Sequence, residues 1–510
     1  MSHPRYVLDV MSHPPVVAAP DETIASAADR MHRGRCGSVI VVDADRPIGI
    51  LTERDLLRMT STGEHTDAAK VGEWMTPRPD TINPHLEVSA ALELLRERGY
   101  RHMPVVEHGA LVGVVSMRDL MRLVDLRPLD GSTIEVPRGL KGVVVAETEV
   151  GDVRGGEGFY HYRQYSAVEV AEKRTFEDAC HLVLAGTLPG PAEAAAFRAQ
   201  LAARRSLAPG LTDAIRPIAR AASPLDGLRT ALSLATAGHG LRPNLDIDAD
   251  QLEGDALWLI AVTPTLVAAL HRLANGQEPV APDPELGHAA NYLWMLHGAT
   301  PDPDHARAVE QYLISTIDHG FNASTFTARV VASTGADLGA CIVAAIGALS
   351  GPLHGGAPSR ALDALDEIGT PDAVEPWVRA RLEAGDKIMG FGHAVYRSED
   401  PRSRLLKGVA QRLGGPRAEL AVEIEQRITD VLAELKPGRA LRANVEYYAG
   451  VVLEACGLAP ELFTPTFAVS RVVGWCAHVL EQASDNKIIR PSARYIGPPP
   501  PQPVPPADKG

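Results

Sequence analysis

The chain has 510 residues, which at about 100–200 residues per domain points to about three domains, or one small and one large unit. Its composition, 45% hydrophobic and 22% charged, is that of a globular protein and excludes a disordered or fibrous chain. With 50 basic against 64 acidic residues the net charge is −14, which argues against the broad basic face of non-specific nucleic-acid binding and leaves room for a local basic pocket.

Five cysteines (Cys36, Cys180, Cys341, Cys456 and Cys476) are widely spaced with no CxxC pair, so neither a disulfide framework nor a zinc site is expected. They fit a reducing cytoplasm. The opening MSHPRYVLDVM lacks the basic and apolar stretches of a signal peptide. The apolar runs 256–270, which contains Pro264, and 339–349 are too short to span a bilayer. The expectation is a soluble cytoplasmic protein with no metal, nucleic-acid or membrane partner.

The front of the chain repeats itself. Residues 10–57 match the chain 64 positions later without a gap: Met11 falls on Met75, Pro15 on Pro79, Pro20 on Pro84, Val41 and Val42 on Val105 and Val106, and Gly49 on Gly113. Arg54, Asp55 and Leu56 fall on Arg118, Asp119 and Leu120. Each copy predicts a helix (22–33; 86–97), a β-rich run (37–43; 101–107) and a second strand (48–51; 112–115). That strand ends in Thr52-Glu-Arg-Asp55 or Ser116-Met-Arg-Asp119, which opens another helix.

Thr52 and Ser116 can cap that helix and leave backbone N–H groups for an anion. Asp55 and Asp119 can accept hydrogen bonds from the two hydroxyls of a ribose. The simpler alternative is a capping box, with Asp as its third residue; two copies in register favour the ligand. At these residues the segment resembles a tandem pair of CBS domains, 1–60 and 61–125. The resemblance implies an α/β pair that takes an adenine nucleotide (ATP, ADP or AMP), with Thr52, Asp55, Ser116 and Asp119 as its contacts and the strands 37–43 and 101–107 walling the base.

Pro128 and Gly131 mark a linker at 126–138. From 139 to 497 the apolar residues recur at helical spacing, as in 191–204, 256–274, 304–317, 372–384 and 418–434. The only period-two stretch is a short start at 142–150, so a large all-α domain in two lobes is expected. The tail, 498–510, has seven prolines by residue 506 and reads as a disordered, extended polyproline stretch.

The chemistry-bearing residues fall in four short segments of the large domain. These are Asp318-His-Gly-Phe-Asn-Ala-Ser-Thr325, Leu349-Ser-Gly-Pro-Leu-His-Gly-Gly-Ala357, Met389-Gly-Phe-Gly-His-Ala-Val-Tyr-Arg-Ser-Glu-Asp-Pro-Arg402, and Asn444-Val-Glu-Tyr-Tyr-Ala-Gly450 followed by Val469-Ser-Arg471 and Ile488-Ile-Arg-Pro491. Three of them set a histidine beside glycines, which lets a ligand approach the backbone closely. His319, His354 and His393 show no metal-ligand spacing, no GxSxG elbow is present, and Gly390–Gly392 lacks the GxGxxG fingerprint.

At these segments, and at Gly158-Phe-Tyr-His-Tyr-Arg-Gln-Tyr165, the chain resembles the citrate synthase family. The resemblance implies a two-lobed all-helical homodimer that joins acetyl-CoA to oxaloacetate and hydrolyses the thioester to citrate and CoA, with no cofactor required. It implies His354 as the group stabilising the enol of the thioester, His393 as donor to the ketone oxygen, and Glu446 as the base. His319, Arg402, Arg471 and Arg490 would bind oxaloacetate, the last across the dimer interface, and Arg397 a CoA phosphate. One departure stands out: the family usually has Asp where this chain has Glu446. Two alternatives stay open, a 2-methylcitrate synthase using propionyl-CoA and a non-catalytic nucleotide sensor on a synthase scaffold.

Overall fold

A computed structural model describes residues 6–34, 36–62, 65–117, 120, 136–140, 142–351, 354, 357–392, 396, 399–436, 441–498 and 500–502. The chain divides into two compact units, Met1–Val143 and Val144–Gly510.

In the first unit the repeat survives as a repeat of buried positions. The helix Ile24–Arg33 buries Ile24, Ala27 and Met31, and the helix Val88–Arg98 buries Val88, Ala91 and Leu95, the same three positions 64 residues on. Thr23 caps the first by accepting from the Ser26 amide at 3.3 Å. The strands are β1 (Val17–Ala18), β2 (Ser38–Asp43), β3 (Arg46–Thr52), β4 (Thr76–Pro77), β5 (His102–Glu107) and β6 (Ala110–Ser116). β2 and β3 form an antiparallel hairpin, as do β5 and β6, and each carries a register shift at the equivalent place, Val41/Val42 and Val105/Val106. The turns match too: Ala44 and Asp45, and His108 and Gly109, all have positive φ, the geometry that suits the twist of a two-residue hairpin.

The copies exchange their leading segments. β4, from the start of the second copy, pairs with β3, while Ser12, from the start of the first, donates its amide to Val114 O in β6 at 2.8 Å. A side chain at Gly49 would strike Met75, and one at Gly113 would strike Met11. Each hairpin is therefore completed by a methionine from the other copy.

The second unit opens with a three-stranded antiparallel sheet: β7 (Gly151–Arg154), β8 (Phe159–Tyr162) and β9 (Tyr165–Ser166). Here the sequence reading needs correction. The strand expected at 142–150 forms no ladder, Val144 is 84% exposed, and pairing starts at Gly151. At Gly151 a Cβ would lie 2.3 Å from His161 O, so the close strand approach requires glycine. Tyr160 and Tyr162 point inward from β8 and donate to Ser315 O (3.1 Å) and Ile314 O (2.7 Å), which docks the sheet on the end of the helix Pro303–Thr316.

Helices make up most of the rest, around one contiguous apolar cluster running from Val150 to Val479. The helix Ala249–Ala274 passes through Pro264 and is longer than the apolar run suggested. By length and composition it could cross a membrane, yet most of it is buried inside the fold. The helices Ala357–Ile368, Val374–Glu383, Pro401–Leu413, Pro416–Leu435 and Val445–Ala455 pack largely on one another as a smaller lobe. The last helix, Phe463–Ser484, packs on the central helices of the larger lobe.

Candidate active site

Three helices that bring functional side chains together each begin with an Asx cap. Asn322 Oδ1 accepts from the amides of Ser324 and Thr325, both at 3.1 Å. Asp400 Oδ1 accepts from the Arg402 amide, and Asn444 Oδ1 from the Glu446 amide, each at 3.0 Å. A cap of this kind fixes the second residue of its helix. Ser324, Arg402 and Glu446 therefore leave equivalent helical positions with their backbones held.

Asp400 does more than cap. It is buried, and its carboxylate grips the Arg402 guanidinium through Nε–Oδ1 (3.0 Å) and Nη2–Oδ2 (2.8 Å). Oδ2 also accepts from the Val445 amide at 3.1 Å, so one carboxylate ties the starts of two helices. Burial opposes the charge on Arg402, but the Asp400 carboxylate more than offsets it and raises the guanidinium pKa.

Glu446 sits on the second of those helices, half-buried. Its carboxyl pKa is pushed up to about 7, first by burial, with Arg402 drawing it down and Asp400 pushing it up. This puts an acid–base group near neutrality.

Arg471 comes from the last helix and is buried, its Nε donating to Thr316 O at 2.8 Å and its guanidinium lying 4.6 Å from the Phe467 ring centre. That helix can approach because of Gly474, where a Cβ would lie 2.3 Å from Ile317 O. Residues 471, 474, 475 and 478 share one helical face, so the contact made by Gly474 also delivers Arg471, Trp475 and His478 to the segment 316–324. Burial lowers the pKa of Arg471, with Arg402 adding to the effect and Asp318 opposing it. Two buried cations thus lie in each other's field.

His354 lies in the turn after the helix Leu338–Leu349, its amide on Gly351 O at 2.9 Å. Its Nε2 is 2.8 Å from Ser324 Oγ, which also accepts from Trp475 Nε1 at 3.1 Å. The Ser324 hydroxyl has two acceptors at 2.8 Å, Asn322 Oδ1 and His354 Nε2. When the hydroxyl donates to His354, the ring carries its own proton on Nδ1. Burial, then Arg471, lowers the His354 pKa to about 4, so the ring is neutral at physiological pH. His319 Nε2 meets Tyr396 Oη at 3.0 Å.

Of the residues singled out by sequence, His354, Arg402, Glu446 and Arg471 are brought together, with His319 in the adjoining loop. The forked contact expected between Arg402 and a substrate is made here with Asp400. Arg490 is exposed on the extended segment after the last helix. His393, Arg397 and Asp119 lie outside the described residues. In the front unit the Thr52 amide (3.0 Å) and hydroxyl (2.8 Å) both donate to Asp55 Oδ2, the first being the reach-back half of a capping box, and Arg58 Nη2 is 3.2 Å from Asp55 Oδ1. Ser116 ends β6. Among the described residues no cluster of His, Cys, Asp and Glu could hold a metal. Sequence reasoning passed over Asp400, Ser324 and Trp475. Their signals were an Asx two residues before the functional residue, and the i+4 position after Arg471.

The family described as "Citrate synthase, C-terminal domain" matches residues 139–492, more than half of the chain. The chain belongs to the citrate synthase family. The CBS domain family matches residues 7–61 and 71–126. The citrate synthase of Deinococcus radiodurans is 39% identical over 364 residues, covering 71% of this chain and 96% of its own length. Citrate synthase 2 of Bacillus subtilis is 40% identical over 368 residues, covering 71% and 96%. Among solved structures, the citrate synthase of Pyrobaculum aerophilum has a TM-score of 0.66 at 36% identity, covering 73% of this chain and 99% of that one. The Thermoplasma acidophilum citrate synthase, solved with carboxymethyl coenzyme A and oxaloacetate, has a TM-score of 0.69 at 29% identity, covering 73% and 99%. The chain is an acyltransferase of the citrate synthase type joined to a tandem CBS pair.

The Gly474 contact gives a direct test. Gly474→Ala places a methyl group against backbone that cannot yield, and it should cost on the order of 1–3 kcal/mol of stability. The expected result is a lowered thermal midpoint, measured by calorimetry.

Proposed function

We propose that this chain condenses acetyl-CoA with oxaloacetate to give citrate and CoA, as a cytoplasmic homodimer, and that an adenine nucleotide at its CBS pair regulates the rate. The observation that carries the catalytic reading is the set of Arg402 and Arg471, both buried, beside a neutral His354 and a carboxyl group, Glu446, whose pKa lies near 7. A small dianion answers the two arginines. A neutral imidazole with Nδ1–H donates a hydrogen bond to a thioester oxygen without first losing a proton.

In this reading Glu446 takes a proton from the acetyl methyl group as His354 stabilises the enol. The methylene carbon then bonds to the ketone carbon of oxaloacetate, and His393 supplies the proton to the ketone oxygen. Water hydrolyses the thioester and releases CoA. Arg471 and Arg402 hold the carboxylates, Arg402 being shared between Asp400 and the substrate, with His319 alongside. Arg490 of the partner subunit completes the site, and Arg397 meets CoA. Holding both substrates together removes much of the entropic barrier. Five free cysteines, four of them buried, fit the cytoplasm.

Glu446 reaches one methylene further than Asp, and an error of ~1 Å costs on the order of a hundredfold in rate. With the helix start pinned by Asn444 and Asp400, the longer side chain is taken as the native fit. Activity should therefore rise with pH through about 7, as Glu446 ionises. Glu446→Asp should keep part of the rate and Glu446→Gln should lose it. Because its folded pKa is raised, the stability that Glu446 contributes is present at low pH and is lost as pH rises through about 7. Glu446→Gln should therefore melt above wild type at pH 8 and close to it at pH 5. A retired scaffold would show no rate to lose, and equal rates for Asp and Gln would remove Glu446 from the mechanism.

The nucleotide reading rests on two sequence copies of the same strand-to-helix turn, with Thr52 and Asp55 in the described one. Calorimetry with ATP, ADP or AMP should show binding to the intact protein, weakened about tenfold or more in Asp55→Asn. The rate of thiol release should change on titration with the nucleotide that binds; a rate indifferent to all three contradicts regulation.

A further inference from the structure

The last helix carries polar residues that the condensation chemistry leaves unused: His478, Glu481 and Gln482. Facing them is Arg329, on the helix Ala323–Ala332, itself 4% exposed. Its Nε donates to Gln482 Oε1 at 3.1 Å, and its Nη1 to Glu481 Oε2 at 2.5 Å and to His478 Nδ1 at 3.2 Å. Its guanidinium also lies 5.4 Å from the Phe321 ring centre, in the site loop. Glu481 Oε1 in turn accepts from the Glu149 amide at 2.7 Å.

A guanidinium has only donors, so His478 Nδ1 must accept and the ring proton sits on Nε2. His478 Nε2 faces Asp318 Oδ1 at 3.3 Å, with both side chains buried. Neither atom has a hydrogen-bond partner of good geometry among the described residues, so this ion-pair contact is what each has. The other oxygen of Asp318 accepts from the Gly320 amide at 3.0 Å and so shapes the turn that presents His319. The same carboxylate lies in the field of Arg471. Holding two helices together does not require a buried array of Arg, His, Asp and Glu, because apolar packing does this at least as well. What the array adds is a defined position for the Asp318 carboxylate.

We propose that Arg329 and His478 are positioning residues for the oxaloacetate pocket: Arg329 fixes the tautomer of His478, and His478 fixes Asp318, which sets the His319–Gly320 turn and the charge beside Arg471. This rests on the reading that His319 and Arg471 receive oxaloacetate. The test uses the full chain and reads oxaloacetate binding by calorimetry alongside steady-state KM values for oxaloacetate and acetyl-CoA. His478→Phe removes the donor and keeps the ring, and should weaken oxaloacetate binding about tenfold or more while the KM for acetyl-CoA moves less than about twofold. His478→Gln restores an N–H near the Nε2 position and should recover to within about threefold of wild type.

Oxaloacetate affinity in His478→Phe within about twofold of wild type, or Gln as impaired as Phe, would overturn the positioning role. Should His478→Phe fail to fold, Arg329→Lys carries the same test, with weakening of at least about threefold expected and unchanged affinity overturning it. A wild-type protein that binds no oxaloacetate would refute the pocket itself, an outcome distinct from wild-type binding that the variants leave untouched.

Discussion

A single buried carboxylate, Asp400, has to satisfy three demands at once. It caps the helix that carries Arg402, pairs with the Arg402 guanidinium through both oxygens, and accepts the orphan amide of Val445 at the start of the helix that carries Glu446. Remove it and a buried cation loses its partner, which costs on the order of 3–5 kcal/mol. The two helix starts would also lose their common anchor. This one residue links the Arg402 guanidinium to the start of the helix that carries Glu446. At Glu446 the Arg402 and Asp400 charges act in opposite directions, so burial is left as the main cause of the raised pKa.

The same environment sorts the other groups by role. Arg402 and Arg471 repel each other across the site, and Asp400 and Asp318 each compensate one of them. His354 beside Arg471 is kept neutral, whereas the Glu446 carboxyl is raised to about 7, where it can take up and release a proton. Residues with ordinary solution chemistry acquire separate tasks through burial and neighbouring charge.

Much of this was legible in the sequence, for identifiable reasons. The front repeat shows because its offset is constant, and the offset reappears in the buried triplets Ile24, Ala27, Met31 and Val88, Ala91, Leu95. The exchange that brings Met11 to Gly113 and Met75 to Gly49 was not legible, since a repeat in sequence does not say which copy completes which hairpin. The small sheet was misplaced by several residues because the valines at 143–145 mimic a strand that has no partner. His354, Arg402, Glu446 and Arg471 could be named from motifs, but the residues that hold them (Asp400, Ser324, Trp475, Asp318 and His478) act through tertiary contacts. Their local signals, an Asx before a helix start and a face repeated at i+3, i+4 and i+7, become specific only once the partner is known.

The front unit carries two sequence copies of one strand-to-helix motif, at 52–55 and 116–119. In the described turn Thr52 and Asp55 already hold each other, so a nucleotide would have to compete with a formed cap. The central claim remains the chemistry of the large unit. It is tested most directly by thiol release from purified full-length protein supplied with oxaloacetate and either acetyl-CoA or propionyl-CoA, with the carboxylic acid product identified. The account requires turnover with acetyl-CoA, yielding citrate, as the faster reaction. Release that favours propionyl-CoA would reassign the enzyme to 2-methylcitrate formation, and no release with either donor would contradict the account.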